Sequence, residues 1–478
     1  MSVQAKEVKF GTGGWRAVIG DVFTRRNMQR LCAALARKMN DEGVGKRGIV
    51  IGYDRRFLSD LAAGWAAEVF AGEGVPVRMI SREAPTPLIM YTVKTLGVHY
   101  GMAVTASHNP AIYNGVKVFE YGGRDAVETT TKDIERRIGL LDSTEAPKII
   151  PLEQAYDRGL VLNINPFNQY IDSIVSQIDI GAIRDAELHI ALDPMFGVSR
   201  TSLQTILLTA RCEVDTIHDR HDTLFGGRLP SPDSTTLQAL REFVLENGCD
   251  MGVATDGDAD RIGIIDDRGT FIHPNQLMVM LYYYLLKYKG WRGPVVRNIA
   301  TTMVLDRVAA SFGEECYEVP VGFKYISSKM AETDALIGGE SSGGLTVRGH
   351  ISGKDGIYAA ALLVEMRAVV GKPLSAISEE LYELFGRMYT VEKSYGFSPE
   401  LRADIQEQLM VRRELPEFPL PIVKVSYADG CKVYFENGWL SARFSGTEPL
   451  IRVFCEMPTE AEADELAELM RSFLNLSQ

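Results

Sequence analysis

The sequence predicts an α/β protein of several domains, and three features carry that prediction. The first is a layout of apolar run, turn, helical period and second apolar run that occurs three times. It runs from GIVIGYD (48–54) through a helical stretch over 58–72 to VPVRMI (75–80). It returns as LHIALDPMFG (188–197), SRTSLQTILLTA and CEVDTI, and again as GPVVRNIA (293–300), TTMVLDRVAASFG and CYEVP. Each is a βαβ unit, so three α/β domains with parallel strand pairs are expected. The three share layout rather than letters, which argues for a common class more than for duplication. The second feature is length, since 478 residues exceed what a single core usually covers. The third is a change of texture from about Arg387, where short alternating runs (CKVYFENGWLSARF, then LIRVFCE) precede a closing helix that Thr459 and Glu462 can start as a capping box. That stretch reads as a smaller C-terminal α+β domain. Turn-rich seams near 142–154, 266–276 and 371–387 divide the chain into domains at 1–152, 153–272, 273–382 and 383–478.

Composition excludes several function classes. With 46% hydrophobic and 24% charged residues the chain is of globular type. A net charge of -12 opposes general attraction to a nucleic acid or an anionic membrane, so neither is an expected partner, and an anionic ligand would need local cations. The six cysteines are scattered without a CxxC pair, which reads as reduced thiols of a cytoplasmic protein and not as a zinc site. The start is polar, and the longest apolar run, 277–286, has half the length of a membrane span.

Four constellations can carry chemistry. Asp256-Gly257-Asp258-Ala259-Asp260-Arg261 alternates three carboxylates between the strand-like MGVAT and IGIID. Anions packed this closely call for a divalent cation, and hard oxygen ligands suit magnesium, manganese or calcium. An EF-hand would need Gly where Arg261 stands and Glu where Asp267 stands, and helices on its flanks; a solvated acidic turn is the plain alternative. Thr105-Ala106-Ser107-His108-Asn109-Pro110 ends the strand-like GMAVTAS and sets Ser107 on a loop. Taken alone it is an ordinary turn, because neighbouring side chains in extended backbone point to opposite sides and Ser-His adjacency does not make a nucleophile pair. Glu340-Ser341-Ser342-Gly343-Gly344 with the preceding glycines contains a GxSxG string, but a hydrolase elbow needs a helix directly after the serine and LTVRGHISGKDG reads as strand or loop. Arg443-Phe444-Ser445-Gly446-Thr447-Glu448-Pro449, with Arg452 beyond it, combines small residues that form an anion-binding nest with two arginines; a β-turn with surface arginines explains it equally well. His218 and His221 match no metal geometry and read as loop histidines.

Read together and in this order, the four loops resemble those of the α-D-phosphohexomutases, the phosphoglucomutase and phosphomannomutase family. In that family a TASHNP loop carries a phosphoserine, a DGDxDR loop binds magnesium, a GExSG loop reads sugar hydroxyls and an RxSGTEPxxR loop holds phosphate. Shorter matches fill the gaps: Gly11-Thr12-Gly13-Gly14-Trp15-Arg16, Pro85-Thr86-Pro87, Phe225-Gly226-Gly227-Arg228, Gly322-Phe323-Lys324 and Lys354-Asp355-Gly356. The resemblance spans nearly the whole chain. It departs at Ser341 and Gly344, where several phosphoglucomutases have a second Glu and many other relatives have a His, and this bears on sugar preference.

The resemblance implies a four-domain phosphohexomutase architecture, three similar α/β domains and a smaller C-terminal one around a central cleft. It implies an isomerase that interconverts hexose 1-phosphate and hexose 6-phosphate through phospho-Ser107 and a bisphosphorylated sugar. Ser107, Asp256, Asp258 and Asp260 would ligate one Mg²⁺ per chain, and hexose 1,6-bisphosphate would serve as activator. Arg16, Lys117 and Arg261 would lie near the reacting oxygens, with Lys117 the proton carrier if neighbouring charge lowers its pKa. His108 would either position the serine loop or move a proton, and His350 would be a loop residue or a second proton carrier. Lys324, Glu340 and Ser342 would read the sugar, while Arg443, Ser445, Gly446, Thr447 and Arg452 clamp the idle phosphate. Sugar phosphates are the expected partners, of a monomer or a homodimer. A phosphoglucosamine mutase would carry a GTDGIRG opening that is missing here, and a non-catalytic sugar-phosphate binder would be free to lose Ser107 or an aspartate, all of which are present.

Overall fold

A computed structural model describes residues 8–141, 146–445 and 450–476. Contacts group the chain into two compact units, one of Met1–Pro274 with Ser342–Ser375 and one of Asn275–Ser341 with Ala376–Gln478.

The first unit holds two mixed sheets. In the larger, Ile49–Tyr53 pairs in parallel with both Val77–Ile80 and Tyr100–Val104, and Val161–Ile164 extends the edge beyond Val77–Ile80. Tyr113–Glu120 then runs antiparallel to Tyr100–Val104 and is followed by Gly14–Val18. The strand IVIGY is buried at all but its last residue, as a strand covered on both faces must be, and its helix Ser59–Gly72 is alanine-rich where it lies against the long helix Arg25–Asp41. Thr24 caps that long helix by accepting from the Asn27 amide at 3.3 Å. In the second sheet His189–Asp193 is parallel to Glu213–Thr216 and to Met251–Thr255, and Ile262–Ile265 returns antiparallel.

The second unit contains the third parallel pair, Val295–Asn298 with Cys316–Val319, and Ile337–Gly339 on its other side. All three expected βαβ units are therefore formed. The family's mixed sheets, with antiparallel returns beside the parallel core, lie beyond what spacing announces. The apolar run 277–286 lies within the helix Pro274–Lys287 and is buried throughout. Among the described residues no helix is long and apolar enough to cross a membrane.

The C-terminal sheet is wholly antiparallel, in the order Tyr389–Gly396, Leu450–Met457, Gly438–Phe444, Cys431–Phe435 and Lys424–Ser426. The helix Glu460–Phe473 covers it with Ala463, Leu466, Ala467 and Met470. Thr459 caps that helix as expected, accepting from the Glu462 amide at 3.3 Å, while its hydroxyl bonds the Glu462 carboxylate at 2.7 Å.

Candidate active site

The serine loop is the link between Tyr100–Val104 and Tyr113–Glu120. Thr105 donates its hydroxyl to Asp54 at 2.6 Å and accepts the Ser107 amide at 2.8 Å, which turns the backbone at Ser107 into the left-handed region, φ 52°. The turn matters, because the backbone is not extended here. Ser107 Oγ and His108 Nδ1 consequently lie on the same side, 3.4 Å apart, contrary to the extended-chain expectation. Underneath, the fully buried Arg56 guanidinium donates to four carbonyls of the loop: Ser107 and Asn109 at 2.6 Å, Pro110 at 2.9 Å and Tyr113 at 3.1 Å. Asp54 balances its charge from 3.4 Å.

The acidic loop joins the antiparallel strands Met251–Thr255 and Ile262–Ile265. One oxygen of Asp256 accepts the amides of Asp260 and Arg261 at 3.0 Å and so shapes the loop; the other accepts the Ser107 hydroxyl at 2.9 Å. Asp258 accepts from Thr86 and Lys117 at 2.6 Å, and Asp260 from Lys117 at 2.6 Å, with Lys354 at 3.0 Å. Gly257 is required where the two loops meet, since a Cβ there would stand 2.8 Å from the Ser107 carbonyl.

Each of the three aspartates offers an oxygen within 4.8 Å of the others, and theirs is the only such group of three or more metal-ligating side chains among the described residues. Asp258 Oδ1 and Asp260 Oδ1 are buried without a hydrogen-bond partner, although Arg261 Nε comes to 4.0 Å of the latter. Burying two unsatisfied carboxylate oxygens costs on the order of 1–3 kcal/mol each, more when charged, so this donor set fits a hard divalent cation. Burial, with Asp258 and Asp260 close by, pushes the Asp256 carboxyl up to about 8. Burial would raise Asp258 and Asp260, but Lys117, together with Thr86 at the first and with Lys354 and Arg261 at the second, holds them below the usual carboxylate range.

Lys117 corrects one expectation. Burial alone would lower its pKa, but direct ion pairs to Asp258 and Asp260 overturn that and hold the ammonium well above its ordinary value. Without a metal, Lys117 is a charged ammonium shared between two carboxylates. His108 is driven the other way, well below 6.5, by burial and by Arg261, Arg16 and Lys354, so its ring is neutral. Arg16 reaches Asn109 Oδ1 at 2.7 Å and braces the serine loop from the neighbouring strand.

His350 is buried, with Nε2 on Asp355 at 2.6 Å and Nδ1 3.4 Å from Gln177. Asp355 also takes the Tyr170 hydroxyl at 2.8 and 2.9 Å and caps the helix Gly356–Val370. This frame holds the preceding residue, Lys354, whose stem runs where position 344 would carry a side chain: a Cβ on Gly344 would stand 2.2 Å from Lys354 Cδ. Ser342 is exposed, and Ser341, the central serine of the GxSxG string, is followed by the strand Leu345–Val347 and not by a helix, so the hydrolase elbow is absent. His218 bonds Asp193 at 2.9 Å and His221 the Arg55 carbonyl at 3.2 Å, in keeping with structural loop histidines.

The remaining residues lie in the second unit. Glu340 is buried at the end of Ile337–Gly339 and accepts from Asn298 at 3.3 Å and from the Gly322 amide at 3.2 Å. Lys324 sits in the first turn of the helix Phe323–Thr333, its ammonium 5.1 Å above the Tyr325 ring. Arg443 and Arg452 are direct partners across adjacent strands. Like charges placed so are destabilising unless anions offset them. Arg443 lies 3.3 Å from Asp429 and Arg452 3.5 Å from Glu392. Ser445 closes the loop base through its amide to the Leu450 carbonyl at 2.8 Å; Gly446 and Thr447 lie outside the described residues.

Sequence reasoning gave no role to Arg56, Asp54, Thr86 or Lys354. Signals were present in the charged end of GIVIGYDRR, in PTP and in KDG, but each acts on a partner far along the chain.

Comparison with known proteins agrees with this geometry. Models of phosphoglucomutase/phosphomannomutase α/β/α domains I, II and III match residues 7–145, 168–269 and 273–385, and the C-terminal domain model matches 403–472. A phosphoglucomutase/phosphomannomutase of Thermococcus kodakarensis is 28% identical over 96% of this chain and 97% of its own length. A phosphoglucosamine/phosphogalactosamine mutase of Sulfurisphaera tokodaii is also 28% identical, over 97% and 98%. The crystal structure of a Thermus thermophilus protein, provisionally described as a phosphomannomutase, superposes with a TM-score of 0.85 at 29% identity, covering 98% of this chain and 99% of that one. The chain belongs to the phosphoglucomutase/phosphomannomutase family of phosphate-transferring isomerases.

Proposed function

We propose that the protein interconverts hexose 1-phosphate and hexose 6-phosphate with Ser107 as phosphoryl carrier, glucose being preferred and mannose accepted. The observation that carries this reading is the 2.9 Å hydrogen bond joining Ser107 Oγ to Asp256 inside a carboxylate group suited to a cation. One sugar phosphate cannot reach its own far hydroxyl, so a carrier that serves both ends is needed. Phospho-Ser107 gives its group to the free hydroxyl, the bisphosphorylated sugar turns over, and Ser107 takes back the other phosphate; a trace of hexose 1,6-bisphosphate accordingly activates dephosphorylated enzyme.

Asp256, Asp258 and Asp260 would hold one Mg²⁺, which when bound supplies charge withdrawal from the phosphoryl group. Lys117, Arg16 and Arg261 compensate charge around it without moving, as preorganised electrostatics requires. His108, neutral beside Ser107 Oγ, shapes the loop and can accept the hydroxyl proton through Nδ1, and His350 braces Asp355. Arg443, Ser445, Gly446, Thr447 and Arg452 clamp the idle phosphate, while Lys324, Glu340 and Ser342 read the sugar. Those sugar contacts address the 3- and 4-hydroxyls in the family, which glucose and mannose share. A site without a polar partner at C2 rejects the epimer weakly. The acidic chain and its six free cysteines suit the cytoplasm.

The test is intact-protein mass, which should reveal one phosphate on Ser107, followed by kcat/KM for glucose, mannose and glucosamine 1-phosphates with Mg²⁺ and a trace of glucose 1,6-bisphosphate. A glucosamine preference, or exclusion of mannose, overturns the sugar assignment; no turnover of any of the three overturns the mutase reading.

A further inference from the structure

We propose that Asp429 is a positioning residue that sets the Arg443 guanidinium and ties it to the 321–322 backbone beside Lys324 and Glu340, so that phosphate capture and sugar reading are coupled inside one unit. The inference rests on Arg443 being part of the phosphate clamp.

Asp429 lies in the turn between Lys424–Ser426 and Cys431–Phe435. Its Oδ2 stands 3.3 Å from Arg443 Nε and accepts the Val321 amide at 2.8 Å, while Oδ1 accepts from Arg443 Nη2 at 3.4 Å. The next residue, Gly430, has φ 81°, and a Cβ there would meet the Ala442 carbonyl at 2.5 Å and Arg443 Cβ at 2.7 Å. Only glycine lets the turn press on the strand of Arg443 this closely, which brings the carboxylate to the guanidinium. On the far side of Asp429, the peptide that follows Val321 donates from Gly322 to Glu340, and Lys324 lies two residues on, in the first turn of the helix. Glu340 in turn accepts from Asn298. A continuous polar path therefore joins Arg443, Asp429, the 321–322 backbone and Glu340.

The chemistry gives the path a purpose. Arg443 is the register partner of Arg452 across the ladder, a pairing of like charges that nearby carboxylates offset. A carboxylate that accepts from Arg443 Nη2 and stands 3.3 Å from Nε steadies the planar fork before phosphate arrives, so less rotamer freedom is lost on binding. Because the same carboxylate is pinned to the Val321 amide, any shift of the 321–324 segment on sugar contact is felt at Arg443. A residue that only made a turn would bond its own turn amides; here Ser426 does that, accepting from Ala428.

The test is a double-mutant cycle on the full-length enzyme with glucose 1-phosphate, Mg²⁺ and a trace of glucose 1,6-bisphosphate. Asp429→Ala should raise KM about tenfold with kcat within twofold, the scale of one charge-assisted hydrogen bond. In the Arg443→Ala background the same change should move KM less than twofold, because nothing is left to position. Asp429→Asn, which keeps an acceptor for Val321 and loses the charge, guards against misfolding and should fall between wild type and Asp429→Ala. Equal effects of Asp429→Ala in both backgrounds, or no effect in wild type while Arg443→Ala raises KM, overturn the proposal and leave the clamp standing. An Arg443→Ala enzyme with unchanged KM removes the clamp itself and this proposal with it.

Discussion

Around Ser107 the charged groups touch one another at 2.6–3.0 Å, and the side chains of Lys117, Asp258 and Asp260 are 5% exposed or less. In the C-terminal strands Arg443 and Arg452 stand 3.3 and 3.5 Å from their carboxylates, with partners 22% and 50% exposed. The difference suits what the proposed function asks of each region. Charge would move at the serine, and polar groups already fixed around it would need no reorganisation during transfer. The clamp would have to grip a phosphate on either end of the sugar and release it, which suits arginines whose ion pairs are longer and more exposed. The first region should thus fail through rate and the second through affinity.

The largest effect should come from the first region. Ser107→Ala should abolish mutase turnover while leaving Tm within about 2 °C, since one hydroxyl is lost from a loop that Thr105 and Arg56 hold through backbone atoms. Asp258→Asn should also be inactive, and millimolar Mg²⁺ should restore chelated wild type but not the variant. Turnover by either variant breaks the comparison at its root. Arg56→Lys comes next. An ammonium cannot span four carbonyls as the guanidinium fork does, so kcat should fall about 100-fold and Tm should drop with it. A drop in Tm with kcat intact would make Arg56 a fold residue only.

Arg452→Ala sharpens the other side. KM for glucose 1-phosphate should rise about tenfold with kcat little changed and Tm steady, because the arginine is 36% exposed and its ion pair is at the surface. Loss of kcat at constant KM would mean that the two regions do not divide the work in this way.

Much of the scaffold was legible in the sequence because its signals are local. The apolar runs IVIGY, HIALD and VVRN announce buried strands, and each has the parallel partner that the following helix dictates. The acid spacing of Asp256, Asp258 and Asp260 points to a cation on charge density alone. What the sequence hid is pairing at a distance. Arg56 acts on carbonyls more than fifty residues away, Lys354 on Asp260, and Asp429 on Val321. No periodicity encodes such contacts. The direction of the Lys117 shift was hidden for the same reason: burial and its two carboxylates act oppositely, and only distances decide which wins.

A second buried lysine turns that point into the smallest prediction. Lys432 donates to the Ile299 carbonyl at 2.6 Å and to Glu318 at 2.7 Å, and its ammonium lies 4.0 Å over the Trp439 ring. It has one carboxylate where Lys117 has two, and Arg297 shares that one at 2.5 Å. Burial, aided by Arg297, therefore prevails over Glu318 and the more distant Glu456 and lowers its pKa to about 8. The sign of the pH effect follows. Unfolded, the amine titrates near 10.4, so between about pH 8 and 10 the unfolded chain binds a proton that the folded chain has released, and stability rises with pH. Tyr434, whose hydroxyl is pushed up by burial and Glu318, contributes with the opposite sign only above about pH 10, where the unfolded phenol ionises. The unfolding free energy of wild type relative to Lys432→Met should thus increase by about 2 kcal/mol from pH 8 to 10. Activity at pH 7.5 should be unchanged, since Lys432 touches no candidate site residue. A flat or falling difference would mean that Glu318 holds the ammonium charged, as Asp258 and Asp260 hold Lys117.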